Sequence, residues 1–413
     1  MFDEIAAYLQ IVPWPLEPNV VFWSSLMLVT GGVLGELVFR LANLPRIVGY
    51  SAVGMVMALM GYGTGNGHLS GTLRVIVDLA LGLLLFELGS RVHLRWLRAN
   101  PALLITSLSE ALLSFCVVYF ALRWIGLDRN LSLLCASFAV AASAAVVGRV
   151  ASELQAAGQV TERMIMLTAM NTLIGVLVHK LVIGWLHLEQ AVDWALAVSQ
   201  PLYTFGGSVL VATILTRLVA LIARRLDLRD ENSALLLLGL IMLAMSGARM
   251  LNLSTLLVPL IAGVLLRNTS DRPWIWPRHF GTAGGVLVLM LFVIVGSSWS
   301  MQALALGGVA AGVFLAARTL AKGIVVVGLA RWSGIELRQA MGLTMALTPI
   351  SGTALVMLAD MQLSHPEFAT HIAPIVLSSI GIMELMGPII VQWGLRLARE
   401  VHPRTVPAPG GSK

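Results

Sequence analysis

Four polar residues interrupt a long apolar stretch between residues 162 and 186: Asn171, Thr172, His179 and Lys180. Polar side chains are costly inside a bilayer, so those that occur there mark a functional site by default. An amide, a hydroxyl and an imidazole can hold a cation or pass a proton. No carboxylate stands beside Asn171 and Thr172, so the usual counter-charge for a bound cation is missing at this point of the sequence.

The composition places these residues in a membrane. The chain has 413 residues, of which 58% are hydrophobic and 12% charged, whereas soluble domains carry roughly 25% charged residues. Apolar stretches of 18 or more residues recur along nearly the whole length, and each can cross roughly 30 Å of hydrocarbon. The sequence therefore predicts an all-α polytopic membrane protein.

Thirteen transmembrane helices are expected. Their predicted limits are 19–41, 46–62, 72–90, 101–124, 130–152, 162–186, 198–222, 233–250, 253–268, 282–299, 303–329, 337–359 and 370–396.

The basic residues predict the orientation. One set of loops and helix ends carries 20 of the 27 Lys and Arg residues, and the opposite set carries 4. Because Lys and Arg collect on the cytoplasmic side, the richer set is predicted to be cytoplasmic. The N-terminus then lies outside and the C-terminus inside a bacterial-type inner membrane.

Two pairs of segments suggest an internal repeat. Residues 44–57 match 253–266 in apolar pattern, and residues 84–90 match 291–297. An offset of seven spans inverts the second copy, which is typical of secondary transporters. We therefore expect an extracytoplasmic segment 1–18 and one transmembrane domain 19–396, followed by a cytoplasmic tail 397–413. Within the domain, repeat 1 covers about 19–186, a linker helix about 198–222, and repeat 2 about 233–396.

A broken helix is expected in each repeat, since inverted-repeat carriers bind substrate where helices are unwound near the midplane. Pro349 and Gly352 in "MALTPISGTALV" predict unwinding from Leu347 to Gly352. The repeat offset relates this segment to the neighbourhood of Ser143, where hydroxyls of Ser143, Thr348, Ser351 and Thr353 could meet. The alternative is a simple proline kink with small residues for close packing.

These and other motifs resemble a known family along most of the chain. "LPRIVGYSAVG", "LGLLLFELGS", "HLRWLR", "ASAAVVGRVASEL", "TAMNTLIGVLV", "LIAGVLL", "RTLAKG" and "GLTMALTPISG" occur in the order of the landmarks of the monovalent cation:proton antiporter superfamily. The similarity is greatest to its second branch, with Kef-type potassium transporters and bacterial sodium/proton exchangers. The resemblance implies a homodimer with a dimerisation domain and a mobile core, two crossed and unwound core helices, and an ion site on span 6.

The sequence departs from this family where the family does its chemistry. The aspartate expected at span 6 is replaced, because the matching pair is Asn171-Thr172. Span 5 has Ala142-Ser143-Ala144 where the family has Thr-Asp-Pro or Thr-Ser-Pro. The Gly-Leu-Glu at the end of span 3 is matched by Gly89-Ser90-Arg91. The family's basic residue of span 11 is retained as Lys322, one turn after Arg318.

Several residues could replace the missing carboxylate. Glu384, in the middle of span 13, is the preferred one, and its alternative role is an ion pair with Lys322 or Arg318. Glu110 lies in the middle of span 4. An unpaired Lys322 could carry a proton or attract an anion. His179 could carry a proton, although a structural His with Lys180 reaching the interface is favoured.

Three other carboxylates near spans are expected to be structural. Glu87 is predicted to pair with Arg91 one turn later, while Glu36 and Asp78 lie away from the midplane. No hydrolytic or redox motif occurs in the sequence, so we expect no enzyme and no cofactor or resident metal.

The leading prediction is a proton-coupled antiporter of Na⁺ or K⁺ in the lipid bilayer, without a nucleic-acid partner. Its ion site would comprise Asn171, Thr172, Ser143, Thr348, Ser351, Lys322 and Glu384. The candidates for proton coupling are Lys322, Glu384, His179 and Glu110. Three alternatives remain open: uncoupled conduction of cations, carriage of an anion or neutral solute, and a scaffold that transports nothing.

Overall fold

The structure is a computed structural model, and it describes residues 20–62, 71–191, 194–225, 231–269 and 280–401. The predicted segment 1–18 and most of the predicted tail lie outside these residues. Within the described part all regular structure is helical.

Sixteen helices are numbered here in chain order. Their bounds are α1 Val20–Leu41, α2 Arg46–Met57 (continued by a π-helical turn, Ala58–Tyr62), α3 Gly71–Ser90, α4 Leu94–Ala99, α5 Pro101–Trp124, α6 Arg129–Val140, α7 Ala144–Glu153, α8 Gln159–Ala191, α9 Trp194–Arg225, α10 Glu231–Met250, α11 Leu257–Thr269, α12 Phe280–Ser297, α13 Met301–Gly328, α14 Leu337–Ala346, α15 Gly352–Ser364 and α16 Pro366–Leu397.

The starts of several helices follow local sequence signals. Asp128 accepts a hydrogen bond from the backbone N–H of Asn130 at the start of α6, and Ser300 accepts one from Ala303 at the start of α13. Such side chains satisfy backbone donors that have no partner within the helix. Helices α5 and α16 begin with Pro101 and Pro366, at the position where a missing N–H costs nothing.

Among the described residues, six helical segments are long and apolar enough to cross a membrane, and one of them, Arg129–Glu153, joins α6 with α7. Four shorter apolar helices, of 10–17 residues, accompany them. The chain is a multi-pass membrane protein. Among the continuous helices, α8 and α9 differ most from the predicted spans, and both extend beyond them at each end.

The helices pack as two groups. The group named the scaffold contains α1, α2, α3, α10, α11 and α12, and the group named the core contains α5, α6, α7, α8, α13, α14, α15 and α16. Helix α9 packs on α8 of the core and on α10 and α11 of the scaffold. The two groups meet where α2, α3 and α12 contact α7, α15 and α16.

Two glycine pairs bring scaffold helices together. A Cβ at Gly54 of α2 would clash with the backbone of α12 around Gly296, and a Cβ at Gly263 of α11 would clash with α3 around Gly89. Small residues of this kind let helix backbones approach closely in membranes. The two contacts mirror each other, because Gly54 and Gly263 are 209 residues apart and Gly89 and Gly296 are 207 apart.

The start of α8 is fixed by a residue from beyond α16. The carboxylate of Glu400 accepts hydrogen bonds from the backbone N–H groups of Val160 and Thr161, both at 2.7 Å, and from the Thr161 hydroxyl at 2.7 Å. A carboxylate at a helix N-terminus satisfies unpaired donors and complements the helix dipole.

Candidate ion site

Two interruptions of helical structure meet inside the core. Helix α6 ends at Val140 and α7 begins at Ala144, while α14 ends at Ala346 and α15 begins at Gly352. The hydroxyl oxygens of Ser143 and Ser351 lie 3.1 Å apart, and the backbone N–H of Ser143 donates to the Pro349 carbonyl at 3.2 Å. Gly352 was expected in the unwound stretch and instead begins α15.

The N-termini of α7 and α15 face each other at this crossing. Ser143 accepts a hydrogen bond from the backbone N–H of Val146, and Ser351 accepts one from Gly352. Hydroxyls neutralise no charge, so the partial positive charge of both helix ends remains and favours an anion close by.

Arg318 of α13 occupies the opposite, carbonyl-lined side of the crossing and is fully buried. Its Nε donates to the Ala139 carbonyl at 2.9 Å, and Nη2 donates to the Ala141 carbonyl at 2.7 Å. The guanidinium also donates to the Thr348 and Pro349 carbonyls. Its charge therefore balances the C-terminal ends of α6 and α14, and its donors are engaged by backbone oxygens of both interruptions.

Glu110, Lys322 and Asn171 form a second buried cluster beside the crossing. Lys322 Nζ forms an ion pair with Glu110 Oε1, and the Asn171 amide donates to the same oxygen at 2.9 Å. The expectation of an unpaired Lys322 is wrong. Ser107 donates to Asn171 Oδ1 at 2.9 Å, which fixes the orientation of the amide. Because one positive charge faces one negative charge, this cluster is electrically balanced.

Glu384 of α16 lies on the other side of the crossing, where the core meets the scaffold. Its side chain is fully buried, Ser51 of α2 donates to Oε1 at 3.4 Å, and the Ser351 hydroxyl lies next to the carboxyl. Its Oε2 has no hydrogen-bond partner among the described residues. The alternative that Glu384 pairs with Lys322 or Arg318 is wrong, since those cations bind Glu110 and backbone carbonyls. Glu384 therefore places an uncompensated carboxyl near the positive helix ends.

The remaining predicted site residues are occupied by structural contacts. The Thr172 hydroxyl lies 2.8 Å from the carbonyl of Thr168, one turn earlier in α8, and 3.5 Å from the Ala142 carbonyl. The Thr348 hydroxyl donates to the Met345 carbonyl at 2.8 Å. Both hydroxyl protons are thus committed to backbone carbonyls of the same segment.

His179 is buried two turns from Thr172, away from the crossing. Its Nδ1 lies 2.8 Å from the Ser137 hydroxyl, and its ring packs edge-on against Phe138 with centroids 4.7 Å apart. The favoured interpretation of His179 as a structural residue agrees with these contacts.

The expected Glu87–Arg91 pair is present, and Glu36 and Asp78 also form ion pairs, which the sequence alone did not predict. Glu87 bonds Arg91 at 2.7 Å, and Glu36 bonds Arg40 at 2.6 Å. Asp78 lies in an ion pair with Arg249.

Sequence reasoning missed two residues of the site, Ser51 and Ser107. Serine is common in membrane helices, and neither residue lies in a distinctive motif. The only available signal was position: Ser51 lies within the "LPRIVGYSAVG" repeat segment, three residues before the close contact at Gly54.

Comparison with known proteins relates this arrangement to transporters. No match is found among curated protein sequences. Solved structures of the sodium proton antiporter MjNhaP1 from Methanocaldococcus jannaschii share the fold. One, determined at pH 8, has a TM-score of 0.69 and 16% identity over 92% of this chain and 98% of that chain. An electron microscopy map of the same antiporter gives a TM-score of 0.68 and 16% identity over 93% and 99%. A family model described as sodium/hydrogen exchanger, transmembrane, matches residues 25–393, and the chain therefore belongs to the sodium/hydrogen exchanger family.

Proposed function

We propose that the protein exchanges Na⁺ or K⁺ for protons by alternating access, at a site where Glu384 replaces the aspartate missing from α8. One observation carries the proposal: Glu384 is fully buried beside two helix N-termini and has no ion-pair partner among the described residues. Membership of the exchanger family supports cation and proton as substrates.

The chemistry of the site suits a small monovalent cation. The Glu384 carboxyl and the hydroxyls of Ser51, Ser143 and Ser351 are oxygen ligands, which hard cations prefer. A carboxyl that has no cationic partner is costly to bury while charged. It is therefore stable only when it binds a proton or a cation, and this exclusive choice is the basis of coupled exchange.

The other predicted residues have supporting roles. Asn171 and Lys322 are held by Glu110, and Arg318 balances the carbonyl ends, so these groups hold the crossing together. Glu110 and Lys322 are the second candidates for proton coupling, since proton transfer within the pair would neutralise both. Thr172 and Thr348 line the same region with their hydroxyls engaged.

The architecture we infer has thirteen spans in two inverted repeats, with α6–α7 and α14–α15 as the crossed, unwound core helices. The mirrored glycine contacts support it, and so does the spacing of Ser143 and Ser351, which are 208 residues apart. We assign the chain to the second branch of the superfamily from its motifs. We further propose a homodimer in an inner membrane, with the N-terminus outside and the C-terminus cytoplasmic.

The test uses purified protein in liposomes with an internal pH dye, under Na⁺, K⁺ and Li⁺ gradients in turn. Wild type should give a cation-dependent pH change, and Glu384→Gln should reduce it to the level of empty liposomes. Glu87→Gln is the matched control, because it removes a carboxylate that pairs with Arg91, the residue after α3, and should leave the flux intact.

The same assay separates the alternatives. A cation current without a pH change would indicate uncoupled conduction. Loss of flux in Lys322→Ala with normal flux in Glu384→Gln would move the coupling group to the Glu110–Lys322 pair. Carriage of an anion is not favoured, because both buried cations near the crossing already have anionic or carbonyl partners.

A further inference from the structure

Two ion pairs tie the core to the scaffold at opposite ends of the molecule. The first, named the inner latch, joins Glu153, the last residue of α7, to Arg46, the first residue of α2. Arg46 Nη1 lies 3.1 Å from Glu153 Oε1, and the backbone N–H of Arg46 donates to both carboxylate oxygens at 3.2 and 3.3 Å. The N-cap residue of α2, Pro45, makes no side-chain cap, so a core carboxylate caps a scaffold helix.

The second pair, named the outer latch, joins Asp360 of α15 to Arg74 of α3. Arg74 Nε also lies 3.8 Å from Asp78 Oδ2, and Asp78 contacts Arg249 of α10. Two positive and two negative side chains thus join α15 of the core to α3 and α10 of the scaffold. The side chains of Arg74 and Asp78 are each only 8% exposed, whereas those of Asp360 and Arg249 are 34% and 42% exposed. The network is therefore buried on the side of α3 and reached by solvent at its rim.

The two acidic residues occupy related places. Glu153 and Asp360 are 207 residues apart, the offset that also relates Gly89 to Gly296. Glu153 is the tenth residue of α7, and Asp360 is the ninth residue of α15. Both helices start at the Ser143–Ser351 crossing, so each carries its carboxylate away from the crossing over about 12–15 Å, at 1.5 Å per residue.

The basic partners lie at opposite faces of the bundle. Arg46 begins α2, and Arg74 lies in the first turn of α3, the next helix of the chain. Successive membrane-spanning helices start on opposite sides, so the inner latch lies on the face predicted to be cytoplasmic and the outer latch on the other. Any shift of the core relative to the scaffold lengthens at least one of these contacts.

We propose that Arg46–Glu153 and Arg74–Asp360 are paired latches, and that each must open before the Glu384 site can reach its own face of the membrane. The assignment of each latch to access from one face of the membrane rests on the proposed function, alternating access. Both latches are closed in this structure. Their carboxylates are positioning residues, because they act on access to the site and not on the transported ion.

The test measures access directly and does not depend on transport. Ser51→Cys, next to Glu384, is introduced after Cys116→Ala and Cys135→Ala, and its labelling by a membrane-impermeant maleimide is followed from each face. Asp360→Asn should raise labelling from the outer face about fivefold, the change that accompanies roughly 1 kcal/mol. Glu153→Gln should raise it from the inner face.

Glu87→Gln serves as the matched control and should change neither rate, because its partner Arg91 directly follows α3 and the pair does not join core to scaffold. Unchanged labelling in both latch variants would overturn the proposal. Increased labelling from the same face in both variants would overturn it too, since the latches are assigned to different faces.

A second experiment links the latches to flux. Cysteines replace Arg74 and Asp360 in one variant and Arg46 and Glu153 in another, and a short, reducible bifunctional thiol reagent joins them. Cross-linking should stop cation-dependent proton flux, and reduction should restore it. Undiminished flux after cross-linking would overturn the latches and leave the proposed function standing. Absence of flux in uncross-linked wild type would reject the function and leave the labelling result valid.

Discussion

Two buried carboxyl groups, Glu110 and Glu384, flank the same crossing in opposite electrostatic circumstances. Glu110 receives an ammonium group and an amide on one oxygen, whereas among the described residues Glu384 accepts from the Ser51 hydroxyl, lies next to the Ser351 hydroxyl and has no ion-pair partner. A buried pair that is broken leaves an uncompensated charge and destabilises the fold, while a carboxyl without a counter-charge already bears that cost. The difference separates a residue that holds the core together from one that is free to exchange its partner.

The largest effect is expected at Glu110, the carboxylate that has an ion-pair partner. Glu110→Gln leaves Lys322 buried without its counter-charge, so the free energy of unfolding should fall by about 3–5 kcal/mol. Thermal unfolding in detergent measures the loss. The double variant Glu110→Gln with Lys322→Met should recover most of it, because no unpaired charge remains. Equal losses in the single and double variants would mean that the pair is not the source of the effect.

Glu384→Gln should show the reverse pattern. Because no ion pair is broken and only hydroxyl contacts change, its unfolding free energy should change by about 1 kcal/mol or less, although coupled flux disappears. Thermal unfolding and flux measured on the same preparation provide the comparison. A stability loss as large as that of Glu110→Gln would mean that Glu384 stabilises the fold as Glu110 does.

A smaller effect on flux is expected from Ser51→Ala, which removes the hydroxyl that donates to Glu384. One hydroxyl contact in a membrane protein contributes about 0.6 kcal/mol on average and at most about 1.7. The cation concentration that gives half-maximal flux should therefore rise about threefold, and at most about twentyfold, with maximal flux preserved. The matched control is Ser107→Ala, which removes a hydroxyl from the Glu110 cluster and should leave this concentration within a factor of about two.

Thr172→Val should have the smallest effect, although the family resemblance matches this position to an aspartate. Valine has nearly the shape of threonine, and the lost hydroxyl bonds a carbonyl that α8 already engages. The half-maximal cation concentration should change by less than about twofold, which corresponds to under 0.5 kcal/mol. A tenfold rise would show that Thr172 is an ion ligand.

The sequence predicts the helices well and their pairings poorly. Apolar length alone placed α13 at 303–329, against Met301–Gly328 observed, because lipid demands a nearly continuous apolar segment. Pro349 predicts the second interruption, between α14 and α15. The interruption at residues 141–143 has no proline, and only the internal repeat predicts it.

The partner of Lys322 could not be read from the sequence. Glu110 lies 212 residues away, and Glu384 is much nearer along the chain. The choice depends on how α5, α13 and α16 are rotated about their axes, and each residue turns a helix face by about 100°. Ser51 and the latch carboxylates Glu153 and Asp360 became significant only once packing placed them against partners far away in the chain.

The Glu400 cap at the start of α8 can form only near the end of synthesis. The groups it caps at the start of α8 leave the ribosome 240 residues before it does. At about 5–20 residues per second, that interval is on the order of ten to fifty seconds. For that time the helix that carries Asn171 has entered the bilayer with an exposed, uncapped end. Its first N–H groups are therefore capped late, by a residue that follows the last helix, and fusion partners should be attached beyond residue 401.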